Sequence, residues 1–363
     1  MSRKLPEREL TSFNVLRMRL IENLSHARLF GDTPAKQSDR AMILNTLDAL
    51  AVSELGITFD RLAPKPAATG TTALDLLIYV ALGEEFLLAL DQIGKGLISE
   101  DVPELAVKAY RGTLLTGRQR TACKVAVIPA GAMGNTRSSG VVSGVLAYYK
   151  ARNIVALGIA GSIGDDLEPG DVFIPQSVSE YMANAAATGV HQPTFEPSPN
   201  RMAIDPQLLG RVQTFKADHR QSARRWHDDM DRGWQALVPR AMLNRLKRTG
   251  VALRGYTKVI AGDDRVLGSG PAVLKGAAFA KWIRMAVRKT EAVEMESAGV
   301  LDAANIRTLP PKALVIRGIS DFGDDRKRLI EDQTRGAFRH LAINGATSFL
   351  IRLIKAGVFS GSE

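Results

Sequence analysis

The chain has 363 residues, of which 45% are hydrophobic and 24% are charged, so it is long enough to bury a full core. No low-complexity tract or internal repeat occurs, which argues against a disordered chain or a solenoid. The formal net charge is +10, and it is uneven, because residues 211–254 hold eleven Lys or Arg against four Asp or Glu. This excess indicates either a phosphate-bearing ligand or a basic surface that favours solubility.

The single cysteine, Cys123, cannot form a disulfide within the chain and has no Cys or His near it in sequence to complete a metal site. The first ten residues are charged throughout, and no apolar run approaches the roughly 20 residues that span a bilayer. We therefore expect a cytoplasmic protein with no membrane partner. We expect neither a metal nor a cofactor.

The sequence pattern of residues 1–66 predicts a small helical module. Apolar side chains recur at helical spacing over 11–24 and again over 38–55, and the second run opens with a Ser-Asp capping pair. The segment 63–72 is rich in Pro, Gly and Thr and is typical of a linker. A main domain is expected over 72–363.

The main domain alternates buried strands with helices. Strands are predicted at 74–81, 124–129, 153–160, 171–175, 257–262 and 313–320. Helices are predicted through Glu84 and Glu85, over 141–152, from near Glu294, and over 333–356. This order indicates an α/β fold with a mostly parallel central sheet flanked by helices. Ligands of such sheets bind beyond the carboxyl ends of the strands.

Three polar segments follow predicted strand ends. GIAGSIG (158–164) lets backbone N–H groups approach a ligand, although its spacing and mid-chain position fit a dinucleotide fingerprint poorly. In EAVEMESAGV (291–300), Glu294 and Glu296 lie within an apolar stretch. They are either a functional pair of carboxylates or the acidic start of a helix. In ALVIRGISDFGDD (313–325), the predicted strand ends at Ser320 and Asp321. These two residues either belong to a functional site or cap the helix that follows.

The succession GIAGS…LEPGDVFIP, VIAGDD, VEMESAG and VIRGISD resembles the nucleoside phosphorylase and nucleosidase superfamily over residues 74–356. Within it, the chain looks most similar to methylthioadenosine/S-adenosylhomocysteine nucleosidases. The resemblance implies a single phosphorylase-like α/β domain that follows the N-terminal helical module. It also implies a homo-oligomer, because members of this superfamily usually form dimers, trimers or hexamers.

The resemblance implies hydrolysis of the bond between a purine base, adenine in methylthioadenosine/S-adenosylhomocysteine nucleosidases, and its ribose. Asp321 falls on the acid that protonates the base at N7, with Ser320 orienting it. Glu85, in the segment YVALGEEFLLAL, falls on the glutamate that activates water. A surface helix start is the alternative interpretation of Glu85.

This chemistry also requires that the ribose be held and that the positive charge developing on it be tolerated. Glu296 falls on the glutamate that accepts hydrogen bonds from the 2′ and 3′ hydroxyls, and Glu294 precedes it in the same element. Met295 would pack under the sugar, unless it is a plain core residue. The backbone of Ala160 and Gly161 should face the sugar and the water.

The sequence departs from the nucleosidases where an aromatic residue would stack on adenine, since Asp264 and Arg265 stand there. An arginine can stack on a base or bind phosphate. Arg137 could hold an anion at a helix start, or belong to an ordinary helix cap. The insert at about 195–250 is basic. These features favour a nucleotide such as AMP or ATP, although the insert could be a solvated helical excursion.

Three other functions remain open at this stage. The chain could be a phosphate-dependent purine nucleoside phosphorylase, or a methylthioadenosine/S-adenosylhomocysteine nucleosidase. Fusions of this superfamily to helical adaptors also resemble toxic effectors of bacterial antiviral defence, in which a protein partner acts through the N-terminal module. A nucleic-acid partner is not expected.

Overall fold

A computed structural model describes residues 72–360, apart from short gaps at 95, 104, 118–120, 184–185, 189–193 and 275. The helical module expected at 1–66 lies outside the described residues, so it stays a prediction. The bounds expected for the main domain, 72–363, stay a prediction as well.

The strands are short at the edges of the sheet and long at its centre. They are β1 (Thr72–Val80), β2 (Ile98–Asp101), β3 (Lys108–Thr116), β4 (Thr121–Pro129), β5 (Tyr149–Ser162), β6 (Val172–Ile174), β7 (Ser177–Glu180), β8 (Ala186–Thr188), β9 (Thr194–Glu196), β10 (Asn200–Ala203), β11 (Val259–Ala261), β12 (Val266–Ser269), β13 (Thr290–Glu294) and β14 (Lys312–Phe322).

The helices fall between the strands as an α/β fold requires. They are α1 (Gly83–Ile93), α2 (Asn135–Tyr148), α3 (Pro206–Asp218), α4 (Arg220–Leu237), α5 (Arg240–Arg248), α6 (Ala277–Ala286), α7 (Ser297–Asn305), α8 (Arg326–Thr334) and α9 (Ala337–Lys355). None of the described helices is long and apolar enough to cross a membrane.

The main sheet is mixed, with a parallel centre. Its main path runs β10-β7-β12-β13-β5-β1-β4-β3-β2, and β14 pairs with both β5 and β6. The pairs β1–β4, β1–β5, β14–β5, β12–β7 and β12–β13 are parallel, whereas β2, β3 and β10 add antiparallel edges. The predicted α/β fold with a mostly parallel central sheet is confirmed.

The central strands are nearly continuous apolar runs because both of their faces are covered. Leu76, Leu77 and Ile78 of β1 are fully buried, and β14 is buried from its second residue to its last. Helix α9 packs against β14 and β5 and also contacts α1 and α4. This packing fixes the strand ends that carry the polar segments.

Two boundaries differ from the sequence expectation. The segment from Asn135 to Gly140, which precedes the helix predicted over 141–152, already belongs to α2. The residues from Tyr149 to Arg152, predicted as the end of that helix, form the start of β5, because they pair with β1. Tertiary pairing therefore overrides the local helical pattern there.

The basic insert forms α3, α4 and α5. Trp226 and Trp234 of α4 are buried, and their indole N–H groups donate to Ser348 Oγ and Thr257 Oγ1 at 2.9 and 2.8 Å. The insert is helical, as one interpretation held, but its apolar face is packed onto the main domain.

Candidate active site

A cavity of about 340 Å³ lies where β1, β5, β13 and β14 end. Its size falls within the range of small-molecule sites. The structure brings into its lining most of the residues that the sequence singled out: Glu85, Ala160, Gly161, Glu294, Met295, Glu296, Ser320 and Asp321.

Glu85 lies in the first turn of α1, and its side chain is buried. Burial raises the pKa of Glu85 from 4.5 to about 8; the charge of Glu296 adds to this, whereas those of Arg317 and Arg339 oppose it. A carboxyl group with a pKa near neutrality can gain and lose a proton under physiological conditions. Glu85 can therefore exchange a proton with a molecule in the cavity that it lines.

Arg317, in the middle of β14, is a fully buried cation at the back of this cluster. It forms an ion pair with Glu294 and donates to Ser297 Oγ at 2.7 Å, and its Nη2 lies 3.9 Å from Glu296 Oε2. A buried charge requires such partners, because the cost of its desolvation is high.

Glu294 is held entirely by donors of the chain itself. Its carboxylate accepts hydrogen bonds from the backbone N–H groups of Glu296 and Ser297 at about 3 Å, from Ser297 Oγ at 3.1 Å, and from Arg317. The carboxylate thus lies at the N-terminal end of α7, where the helix dipole favours negative charge. This arrangement fixes the turn between β13 and α7.

Glu296 is buried in that turn, next to the half-buried Met295. Burial and the charge of Glu294 raise the pKa of Glu296 to about 7, although Arg317 and backbone hydrogen bonds act in the opposite direction. The group can therefore accept or donate a hydrogen bond near neutral pH.

Asp321 is presented by a bulge in β14. Ile319 lies opposite Ala160 of β5 and Asp321 lies opposite Gly161, so Ser320 is an extra residue between them. A bulge of this kind re-aims side chains at the end of a strand. The Ser320 hydroxyl donates to Asp321 Oδ2 at 2.6 Å.

Asp321 is 5% exposed, and burial raises the pKa of its carboxyl. Lys327, at the start of α8, lowers this pKa, with its Nζ 3.1 Å from Asp321 Oδ1. Burial is the larger effect, so the carboxyl holds its proton to a higher pH than an exposed aspartate does. Such a group can act as a general acid.

Two predicted residues lie elsewhere. Arg265 forms ion pairs with Asp166 and Asp263 at 3.0 and 2.8 Å, and it lines a different cavity. Arg137 donates through Nε to the Ala130 carbonyl at 3.3 Å and is outside the lining of the candidate site.

The basic side chains of the insert are also outside that lining. They are exposed on α4 and α5: Arg220, Arg224, Arg225, Arg245, Lys247 and Arg248. In their present positions they therefore do not contact the contents of the cavity.

A family model described as the phosphorylase superfamily matches residues 75–355. The chain belongs to this superfamily. Its predicted membership is confirmed, and so is its predicted fold. The parallel strands and the acidic segments at their ends are the features that carried the resemblance in the sequence.

This chain is similar to the ATP nucleosidase Cap17 of Escherichia coli (strain KTE188). The two are 28% identical over 194 residues, which are 53% of this chain and 35% of that protein. The matched region thus spans about a third of the relative's length.

Solved structures show the same fold. The 5′-methylthioadenosine/S-adenosylhomocysteine nucleosidase of Neisseria meningitidis, in complex with methylthio-immucillin-A, matches with a TM-score of 0.53 and 18% identity, over 78% of this chain and 100% of that one. The futalosine hydrolase of Helicobacter pylori strain 26695 matches with a TM-score of 0.51 and 17% identity, over 78% and 97%.

Several residues of the site were not assigned from the sequence. Arg317 interrupts an apolar run, and this pattern is a signal that could have found it, because a charge inside a buried strand requires partners. Lys327, Arg339 and Met133 line the cavity from separate loops and helices. No local pattern marks them.

Proposed function

We propose that this phosphorylase-superfamily domain hydrolyses the N-glycosidic bond of an adenine nucleotide or nucleoside. The observation that carries the proposal is the meeting of three buried carboxyl groups with raised pKa values, those of Glu85, Glu296 and Asp321, around one cavity. Perturbed acids that converge in a cleft are typical of catalytic sites. The likeness to an ATP nucleosidase supports adenine as the base.

In this mechanism, water adds to C1′ of the ribose while the bond from C1′ to the purine nitrogen breaks. Asp321 gives its proton to N7 of the base, so the purine leaves as a neutral molecule. Glu85 takes a proton from the attacking water. Each such proton transfer is typically worth about 10²–10⁴-fold in rate.

The remaining residues position the substrate. Glu296 accepts hydrogen bonds from the ribose hydroxyls, and Met295 packs beneath the sugar. Ser320 orients Asp321 through the 2.6 Å hydrogen bond. Because the oxygens of Glu294 are occupied by its own chain and by Arg317, we assign Glu294 to positioning Glu296.

Hydrolysis fits the charge of the cavity better than phosphorolysis does. The lining holds five acidic side chains and two basic ones: Glu85, Glu294, Glu296, Glu331 and Asp321 against Lys327 and Arg339. Both basic side chains already have carboxylate partners, because Lys327 pairs with Asp321 and Arg339 pairs with Glu84. The lining therefore offers no unpaired cation to hold an inorganic phosphate dianion. The same lining favours a second candidate substrate, an uncharged adenine nucleoside such as methylthioadenosine.

The test is to incubate the full chain with ATP, AMP, adenosine and methylthioadenosine, with and without inorganic phosphate, and to measure free adenine by chromatography. We expect adenine without phosphate, and the preferred substrate identifies the 5′ group. Adenine release that requires phosphate would overturn hydrolysis.

The matched variants are Asp321→Asn and Asp325→Asn. Asp325 is exposed at the start of α8 and makes no side-chain cap. We expect kcat to fall about 10²–10⁴-fold in Asp321→Asn and to stay unchanged in Asp325→Asn. Equal activity in both variants would remove Asp321 from the mechanism.

A further inference from the structure

A second cavity, of about 770 Å³, lies between the insert and the main domain. Helices α3 and α4 form one side of it, the segment from Tyr256 to Ala261 forms the other, and Phe349 of α9 closes the base. We propose that this cavity is a separate binding site for a small anionic ligand with a planar heterocyclic ring, of the chemical class of a mononucleotide.

Basic side chains outnumber acidic ones in the lining of this cavity. Its lining holds three basic side chains, Lys216, Lys258 and Arg265, against the two acidic ones of Asp231 and Asp263. Arg265 is already paired with Asp263. An anion is therefore favoured here.

Lys216 and Lys258 are the cations available to a ligand. Each is exposed, and neither forms an ion pair with any other residue that the structure describes. His227 lies in the same lining, where burial and the charge of Lys216 lower its pKa. Its neutral ring can donate one hydrogen bond and accept another.

Aromatic rings line the cavity, and three of them, Phe215, Trp226 and Phe349, are at most 3% exposed and form its wall. Trp226 and Phe215 pack edge to face on Phe349, with ring centroids 5.2 and 5.6 Å apart, which holds these rings in place. The Tyr256 ring is 48% exposed at the rim, with Lys258 Nζ 5.9 Å from its centroid. A planar base could stack on such a ring while its phosphate meets the lysine.

The backbone of β11 adds hydrogen-bonding groups. Among the described strands, β11 pairs with β6 alone, and all three of its residues line the cavity. The Ala261 carbonyl already accepts a hydrogen bond from the Gln213 amide at 3.2 Å. The unpaired edge of a strand presents donors and acceptors that match the edge of a heterocycle.

The loop after β11 is held in an unusual conformation. Asp263 and Asp264 have φ angles of 55° and 60°, in the left-handed region that non-glycine residues rarely adopt. Asp264 is fixed by Lys289 and by Arg201, and its N–H donates to Gln176 at 2.8 Å. Strain of this kind persists where the surroundings enforce it and is common at binding sites.

Calorimetric titration of AMP into the full chain carrying Asp321→Asn tests the site, because this variant should not consume the probe. The comparison adds Lys216→Ala with Lys258→Ala in one variant and Lys247→Ala in another. Lys247 is an exposed lysine of the same insert that lies outside the cavity. We expect the double change to weaken one AMP-binding step at least tenfold, and the control to leave it unchanged.

Equal AMP affinity in all three proteins, or an equal loss in the control, would overturn the proposal. Inorganic phosphate that binds as tightly as AMP would show a plain anion site and would overturn the assignment of a planar ring. Tyr256→Ala is a second variant, and it should weaken AMP and leave phosphate unchanged. Adenine release by the double variant on the wild-type background checks the active site separately, and we expect it to match wild type.

Discussion

At the scale of single residues, Glu85 links function to stability. Burial raises its pKa from 4.5 to about 8 in the folded protein, whereas in the unfolded chain it returns to about 4.5. The folded state therefore holds a proton that the unfolded state releases. The free energy of unfolding consequently falls as the pH rises between these two values.

We predict that Glu85→Gln stabilises the protein at alkaline pH while it removes activity. Glutamine cannot ionise, so the difference from wild type should open between about pH 4.5 and pH 8 and then stay constant. Urea unfolding at pH 5 and pH 9 measures it. Asp91→Asn is the control at an exposed position of the same helix, and it should change the free energy of unfolding by less than about 0.5 kcal/mol. An effect of Glu85→Gln on the free energy of unfolding that does not change with pH would contradict a raised pKa for Glu85.

Gly158 makes room for the buried cation of the site. A Cβ atom at this position would overlap the Arg317 guanidinium and would lie 2.9 Å from Glu85 Oε2. Real Cβ atoms do not approach other atoms this closely, so Arg317 would have to move. Glycine at this point in β5 thus leaves the space that the Arg317 guanidinium and the Glu85 carboxyl occupy.

We therefore predict that Gly158→Ala destabilises the protein by about 1–3 kcal/mol and reduces kcat. Gly140→Ala is the matched control, because Gly140 is exposed in α2 and a Cβ there meets nothing within 4 Å. The control should stabilise the protein by about 0.5–1 kcal/mol, since alanine favours the helix. Chemical unfolding and initial rates measure both changes. Equal stability of the two variants would show that Arg317 does not need this space.

At the scale of elements, the sequence predicted the long apolar strands well and missed several of the short or half-exposed ones. The strands β1, β5 and β14 are apolar runs that end in polar segments, so pattern alone located them and the acids beyond them. In contrast, β3 alternates exposed and half-buried residues and contains Lys, Arg and Gly. Its strand conformation comes from pairing with β2 and β4, which no local pattern shows.

The parts of the site that come from distant elements could not be predicted. Lys327 reaches Asp321 because α8 starts immediately after β14, and Arg339 approaches Glu85 from α9. The insert illustrates the same limit. Its basic composition was visible, but the burial of Trp234 against Gly170, which has a φ of 99°, depends on packing between elements far apart in sequence.

At the scale of the whole molecule, positive charge and the candidate active site are separated. The net charge is +10, whereas carboxyl groups outnumber basic side chains in the lining of the active-site cavity. Distant charges act on a substrate through its approach rather than through its final contacts. A nucleotide substrate should therefore be steered toward the protein, and the exposed arginines of α4 should contribute to its rate of encounter.

We predict that kcat/KM for ATP falls as salt rises from about 0.01 to 0.15 M, a range in which the screening length shrinks from roughly 30 to 8 Å. Adenosine carries no charge, so its kcat/KM should stay nearly constant. The combined variant Arg220→Ala, Arg224→Ala and Arg225→Ala should flatten the salt dependence for ATP and leave KM at high salt unchanged, because these side chains are exposed and outside the cavity. Initial rates of adenine release at each salt concentration give the comparison. A rise in KM for ATP that persists at high salt would instead place the insert in direct contact with the phosphates.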